Sequence, residues 1–298
     1  MIVWSFKGML CMLFLSVIFN PVFGNEDGRE IEQNLRLMTP ENARGYLMPL
    51  MESYSASTLR STYHSADIEK GFNLYLGMKA MMAFIPHENK TFFADPPGAE
   101  SSKQTATVVG DKGNDAFPNG FKWNIVPVMI PHLQVGSILG TEFSVRYLPS
   151  TKFDDKIGDF NVLGGGITHS LSQYLPELPV QFSIQGFYVQ TKLGNIFEST
   201  GTAYNFLTST NIAGLTLYGG VGYEITDMEV QYDYDPENEE QTPTGSPQQT
   251  TISFTESFEE QFRATVGMSL QFIIFNLNAD YYSFGDYHVV TVGLGISI

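Results

Sequence analysis

The 298-residue sequence holds a single cysteine, Cys11. It lies within an N-terminal stretch that reads as an export leader, so the chain beyond residue 24 is expected to carry no disulfide, no thiolate metal site and no cysteine nucleophile. Charge is also scarce: 16% of residues are charged, against roughly 25% in a typical soluble domain. Basic residues are the rarer sign, with Lys+Arg 16 against Asp+Glu 32 and a formal net charge of -16. A nucleic-acid binder needs basic patches against phosphate, so nucleic acid is excluded as a partner. No run of 18 apolar residues follows residue 24, which excludes a helical membrane protein. Catalytic patterns are missing too. The five histidines, His64, His87, His132, His169 and His288, form no HExxH and no metal-binding pair one helical turn apart. His169 and Ser170 adjoin, but neighbours on a strand point to opposite faces. Gly164-Gly165-Gly166 falls inside a strand and suits bending or close packing rather than a phosphate loop. Neither an enzyme nor a cofactor is expected.

Residues 1–24 read as a secretory signal peptide. Lys7 supplies a positive start, and positions 9–19 form an apolar run broken only by Ser16. That run is too short to cross a hydrocarbon core of about 30 Å as a helix. Val22-Phe23-Gly24 then precedes an acidic start at Asn25-Glu26-Asp27, and cleavage is expected after Gly24. Cys11 is not at that point, so no lipid-modified N-terminus is indicated.

The abundant signal is alternation with period two, the mark of a strand whose faces meet different surroundings. From Phe72 to Phe84 every even position is apolar, and the first four odd positions are Asn73, Tyr75, Gly77 and Lys79. At the C-terminus Val290, Val292, Leu294, Ile296 and Ile298 alternate with Thr291, Gly293, Gly295 and Ser297. The same rhythm runs through Phe143 to Tyr147, Val180 to Ile184, Leu215 to Tyr223, Thr265 to Phe272 and Asn276 to Tyr281. A soluble sandwich alternates as well. Three details favour a membrane barrel. Several strands are ten to thirteen residues long, where a tilted membrane strand needs about 9–11. The second face is rich in Gly, Thr, Asn, Gln and Ser, as a polar lumen would be. The last strand reaches the final residue, as in a barrel that closes on its own C-terminus. In lipid an open sheet edge is forbidden, so closure is obligatory.

The expected fold is therefore all-β: a transmembrane antiparallel up-and-down β-barrel of about ten strands, within a range of eight to fourteen, preceded by a short helical segment. The spans read as 71–84, 121–137, 141–149, 157–170, 179–191, 199–210, 213–224, 256–272, 275–282 and 287–298. Short turns follow the second, sixth and eighth strands, and the long connections 85–120 and 225–255 fall on the opposite side. Short periplasmic turns with long outer loops are the usual asymmetry. The chain divides into a leader at 1–24, a periplasmic or plug segment at 25–66 and a barrel at 67–298.

Six charged residues fall on the face opposite the apolar rows and are expected in the lumen: Lys79, Glu142, Arg146 and Asp280, with Glu224 and Arg263 near the outer rim. On the lipid face a basic residue at mid-membrane would cost about 2–4 kcal/mol. They form either a selective constriction or a network of paired charges filling a narrow barrel; ten strands favour the latter. Between Leu193 and Phe262 there is no lysine or arginine but there are twelve acidic residues, and 225–255 reads as a mobile outer loop. Asp233, Asp235 and Glu237 there are candidates for a weak divalent-cation loop. A solvated acidic surface is the plainer reading, since the spacing and central glycine of an EF-hand are missing. In 25–66 alternation stops. Thr39-Pro40 reads as an N-cap with proline at the first helical position. Ala43, Tyr46, Leu47, Leu50 and Tyr54 then follow the 3.6-residue period, with Pro49 expected to kink or end the helix.

Several local strings resemble a family of uncharacterised outer-membrane barrel proteins, found mostly in the Bacteroidetes and known only as a domain of unknown function. They are Gly45-Tyr46-Leu47-Met48-Pro49-Leu50, Thr62-Tyr63-His64-Ser65-Ala66, Pro131-His132-Leu133-Gln134-Val135-Gly136, Val145-Arg146-Tyr147-Leu148-Pro149, Gly166-Ile167-Thr168-His169-Ser170 and Tyr174-Leu175-Pro176, with Ala279-Asp280-Tyr281 and Gly293-Leu294-Gly295-Ile296-Ser297 near the C-terminus. The resemblance implies a barrel and an outer-membrane location, and no activity. One departure is Ile298, where barrel proteins commonly end in an aromatic residue.

These readings lead to an exported outer-membrane barrel whose partners are outer-membrane lipid and the barrel assembly machinery. It would act as a narrow channel or transporter for small or apolar molecules. A non-conducting structural or adhesive barrel, working through acidic outer loops, is the alternative from another class, and a soluble periplasmic β-sandwich with a ligand pocket is the third.

Overall fold

Period-two alternation becomes a closed wall in the computed structural model, which describes residues 31–36, 38–96, 101–154, 158–234, 250–284 and 286–298. The leader, residues 1–24, lies outside the described residues. The wall strands are β1 (Asn73–Phe84), β4 (Ile125–Ile138), β5 (Thr141–Asp154), β6 (Gly158–Ser170), β7 (Gln181–Leu193), β8 (Phe197–Ile212), β9 (Leu215–Tyr234), β10 (Thr250–Phe272), β11 (Phe275–Phe284) and β12 (Tyr287–Ser297). Each pairs antiparallel with the next, and β1 pairs with β12 (Tyr75 opposite Ser297, Met78 opposite Leu294), which closes the barrel at ten strands. A small hairpin, β2 (Thr91–Ala94) with β3 (Lys103–Ala106), stands apart in the long connection between β1 and β4.

The register puts Leu76, Phe143, Tyr204, Val266, Leu270 and Leu294 on the outer face, each between 46% and 63% exposed. Their strand neighbours Tyr75, Ser144, Asn205 and Thr265 are buried inside. A belt of large apolar side chains around a closed sheet is the surface a lipid bilayer demands. The two-residue turns Leu139-Gly140 and Ala213-Gly214 have positive φ at both positions (52° and 70°, 53° and 89°). That is the type I′ geometry whose twist matches the flanking strands, with glycine at the second site.

Two strands run further than their alternation suggests. β9 continues to Tyr234 and β10 begins at Thr250, so most of the stretch read as the start of a mobile outer loop is paired strand. The reason is a change of sense in the pattern. Up to Val221 and Tyr223 the apolar residues of β9 face outward, whereas beyond Glu224 the buried inward residues are Met228, Val230 and Tyr232 and the outward ones are Asp227 and Glu229. Acidic side chains outside with apolar side chains inside describe a strand that has left the lipid for water. In β10 a bulge between Phe258 and Gln261 makes the matching adjustment, because one extra residue exchanges the two faces of a strand. Glu224 and Arg263 consequently lie deep inside the barrel, not near its outer rim.

The N-terminal segment fills the lumen. Helix α1 (Ile31–Leu35) precedes α2 (Pro40–Thr58). Thr39 caps α2, its hydroxyl accepting from the Asn42 backbone N–H at 3.5 Å, and Pro40 opens the first turn. Pro49 does not end the helix, which continues for nine residues beyond it. Loss of one backbone donor is outweighed there by enclosure: Leu47, Leu50, Met51 and Tyr54 are buried in one apolar cluster with Phe160, Val162, Phe187, Val189, Leu193 and Phe197 of the wall. The Tyr54 and Phe160 rings stack at 5.2 Å. The connection 85–124 folds onto the same helix, with Val108 N–H donating to the Tyr46 carbonyl at 2.9 Å and Asn42 Nδ2 to the Asp95 carbonyl at 2.9 Å. After Thr58 the chain drops through the lumen in non-helical form, turns at Gly71 (φ 95°) and enters β1.

Candidate functional site

The lower lumen is where the wall meets the stretch from Leu59 to Ala66, and the contacts there are mainly polar, beside one small apolar cluster of Tyr63 and Ala66 with Leu207 and Tyr218. Glu224 of β9 takes hydrogen bonds from both Arg60 of the plug and Arg263 of β10, and all three side chains are buried. Arg263 also donates to Asn205 Oδ1 at 2.6 Å and to the Leu59 carbonyl at 3.2 Å. Arg146 of β5 donates to the Thr58 carbonyl at 3.0 Å and to the Ser61 carbonyl. Gln134 of β4 and Gln185 of β7 both donate to the Thr62 carbonyl, at 3.4 and 3.3 Å. Asp280 of β11 accepts from Ser61 Oγ at 3.2 Å, from Tyr218 OH at 2.6 Å and from Thr291. The Tyr282 hydroxyl accepts from the Ser61 N–H at 2.7 Å. Lower still, the Ser65 and Ser209 hydroxyls are 3.3 Å apart and Ser209 accepts from the Ala66 N–H at 3.0 Å. The non-helical stretch leaves backbone groups unpaired within itself, and the wall supplies their partners one by one.

Of the six charges expected in the lumen, Lys79, Arg146, Glu224, Arg263 and Asp280 are all buried there. Arg146, Glu224, Arg263 and Asp280 touch the plug directly. Lys79 instead donates to Asn278 Oδ1 at 2.7 Å and lies 5.2 Å from the Tyr75 ring centre. Glu142 stands apart, half-buried on the inward side of β5 beside Gly136. Of the acidic triplet, Asp233 sits on β9, where its carboxylate accepts from Thr251 Oγ1 at 3.0 Å across to β10. Asp235 and Glu237 lie outside the described residues. Among the described residues, no three His, Cys, Asp or Glu gather as a metal site.

The sequence did not mark Arg60, Ser61, Thr62, His132, Gln185 or Asn205 as site residues, although Thr62 and His132 fall in strings that carry the family resemblance. Gln185 and Asn205 could have been found by reading polar residues on the same face as the charges. His132 is hidden in β4, which is apolar on both faces because Val126, Val128 and Ile130 pack against the plug in its upper half. Arg60 lies in a segment without periodicity. At the top of the lumen, Glu52 of α2 accepts from Tyr287 OH at 2.7 Å, and Asn89 donates to the same tyrosine hydroxyl at 2.8 Å. Burial pushes the Glu52 carboxyl up from its ordinary value, and the Tyr287 hydrogen bond opposes this.

A ten-stranded antiparallel barrel with an apolar belt and an internal N-terminal plug defines an outer-membrane-type β-barrel protein. The chain belongs to a family of unknown function, DUF6588, whose model matches residues 6–298. No curated protein matches it. Among solved structures it is similar to the attachment invasion locus protein Ail of Yersinia pestis (11% identity, 77% of this chain and 100% of that one, TM-score 0.25). It is also similar to Neisserial surface protein A (11% identity, 77% and 99%, TM-score 0.24) and to the Pseudomonas putida toluene transporter TodX (11% identity, 91% and 77%, TM-score 0.32).

Proposed function

We propose that this chain is an exported outer-membrane barrel that passes small or apolar molecules, with its N-terminal segment as the gate. The leader would be cleaved after Gly24 and the barrel inserted into outer-membrane lipid by the assembly machinery. One observation carries the reading: below Thr58 the plug is held by hydrogen bonds between wall side chains and its backbone, through Arg146, Arg263, Gln134, Gln185, Tyr282 and Ser209. Water can replace such bonds nearly one for one, so each neutral one contributes a net of only about 0.5–1.5 kcal/mol and each from an arginine about 1.5–3 kcal/mol. Apolar packing like that around α2 suits permanent filling, so the moving part of the plug is the stretch below Thr58.

The test is a reversible lock. With Cys11 replaced, a Ser65→Cys/Ser209→Cys pair puts the only two thiols where hydroxyls now stand 3.3 Å apart. Purified protein in planar bilayers should show open events when reduced and none when oxidised, and liposome uptake should follow. Unlocked protein that never opens and never transports would overturn the gate. It would favour the non-conducting structural or adhesive barrel, for which the packed upper lumen is the supporting observation.

A further inference from the structure

Among the described residues the lumen holds more buried positive charge than its carboxylates match. Glu224 is shared by Arg60 and Arg263. That leaves Lys79 and Arg146, both fully buried. Among the described residues neither has a carboxylate within ion-pair distance. Arg146 donates only to His132 and two plug carbonyls and lies 5.3 Å over the Phe187 ring. Lys79 has the Asn278 amide oxygen and the Tyr75 ring. Asp280, the remaining buried carboxylate, is hydrogen-bonded to the hydroxyls of Ser61, Tyr218 and Thr291. A buried cation without a counter-charge is costly.

The two cations sit around two buried donors without a well-formed hydrogen bond. In the register, His132 lies opposite both Arg146 and Gly77, while Tyr75 and Lys79 flank Gly77 on the same face of β1. Arg146 Nε donates to His132 Nδ1 at 3.1 Å. That nitrogen therefore carries no proton, and the ring's proton is on Nε2. Neither His132 Nε2 nor the Tyr75 hydroxyl makes a well-formed hydrogen bond, with the Thr62 backbone near the one and the Asn278 amide near the other, and both side chains are at least nine-tenths buried. Glycines let these side chains lie against the wall: a side chain at Gly77 or Gly295 would run into the Tyr75 ring, and one at Gly293 into Lys79 and Asn278.

We propose that this patch of β1, β4 and β5 is a receptor for one monovalent oxyanion, a carboxylate or a phosphate-type group, held by Arg146, Lys79, His132 Nε2–H and the Tyr75 hydroxyl. Two cations facing one distant carboxylate call for a single negative charge. Guanidinium and ammonium groups bind an oxyanion about twice as strongly as a neutral acceptor. The carbonyls of Thr58 and Ser61 thus occupy Arg146 in a place an oxyanion would take in preference. The inference rests on the gate reading for its role in transport, since an arriving anion would compete with the plug for Arg146.

Binding is measured apart from conduction, by titration calorimetry of the full chain in zwitterionic detergent with sodium acetate, benzoate and phosphate at constant ionic strength. One anion per chain is expected. Tighter binding of the carboxylates assigns a carboxylate solute, and tighter binding of phosphate assigns a phosphate-type one. Lys79→Gln and Tyr75→Phe should each weaken binding by about tenfold, the loss of one charge-assisted hydrogen bond. Tyr75→Phe removes a hydroxyl without a well-formed hydrogen bond and keeps the ring, so its folding is secure if Lys79→Gln fails to fold. Absence of saturable binding to any of the three anions overturns the receptor, as does binding that Tyr75→Phe leaves unchanged. The Ser65→Cys/Ser209→Cys protein separates the two ideas: anion binding without any conductance would leave the receptor standing and remove the gate, and conductance without binding would do the reverse.

Discussion

The two halves of the lumen are filled by one continuous segment under opposite rules. Around α2 the wall turns Phe160, Val162, Phe187, Val189, Phe197, Val230 and Tyr232 inward and buries Tyr46, Leu47, Leu50 and Met51 as a soluble core would. Around residues 59–66 the wall turns Arg, Gln, Asn, Asp and Tyr inward and grips backbone groups. Dispersion and area burial hold the upper half, and these have no substitute in water. The lower half is held by bonds that water or a solute can replace. The contrast follows the outer surface in inverse: strands that stand clear of lipid can put their apolar residues inside, whereas strands in lipid must spend theirs outward and leave the lumen to polar ones.

The largest test of this contrast removes the carboxylate that joins plug to wall. Glu224→Ala would leave Arg60 and Arg263 facing each other in a buried site, at a cost of about 3–5 kcal/mol. The expected outcome is a barrel that still forms but whose lower plug becomes sensitive to protease at neutral pH. It is read as a nick between Thr58 and Gly71 in a protein that keeps heat-modifiable migration in detergent gels. An intact plug in that variant would show that the upper packing alone fixes the segment.

The second test takes the upper half. Leu50→Ala cuts a 2% exposed side chain out of the apolar cluster, and such truncations cost about 2–5 kcal/mol. Here the temperature at which the gel band shifts should fall, with the lower plug still protected below it. If Leu50→Ala instead released residues 59–66 first, the halves would be coupled and the division drawn here would fail.

How much of this was legible in the sequence follows the same line. The ten strands and their facing were readable wherever lipid enforced one rule over a whole face, as in β1 and β12. The reading lost accuracy where the strand left the lipid. At Glu224 the sense of alternation inverts, so 225–234 looked like loop and Glu224 looked like rim. The charges Lys79, Arg146 and Asp280 were found by parity alone. Their partners Arg60 and Ser61 were not, because an extended segment that gives its backbone to other strands has no periodicity of its own. Pro49 misled for a related reason: propensity describes an isolated helix, and this one is enclosed by a wall.

The smallest effect lies at the outermost turn of the contrast, where Glu52 meets Tyr287. Burial raises this carboxyl above its ordinary value, the Tyr287 hydroxyl opposes the shift and the nearby charge of Asp286 adds to it. The folded chain therefore holds this proton to a higher pH than the unfolded chain does. Stability from this group is fully present below the ordinary carboxylate value of 4.5. It declines as pH rises from there through the raised value, and is constant beyond. Glu52→Gln keeps an acceptor for Tyr287 and cannot ionise. Its band-shift temperature should lie level across mildly acidic pH where the parent's declines, measured against a parent series in the same detergent. The effect is small because the group keeps some contact with solvent and its hydrogen bond survives. Identical slopes in the two proteins would mean that Glu52 is hydrated in the folded chain, and that the apolar packing on α2 begins two residues further on, at Tyr54 against Phe160.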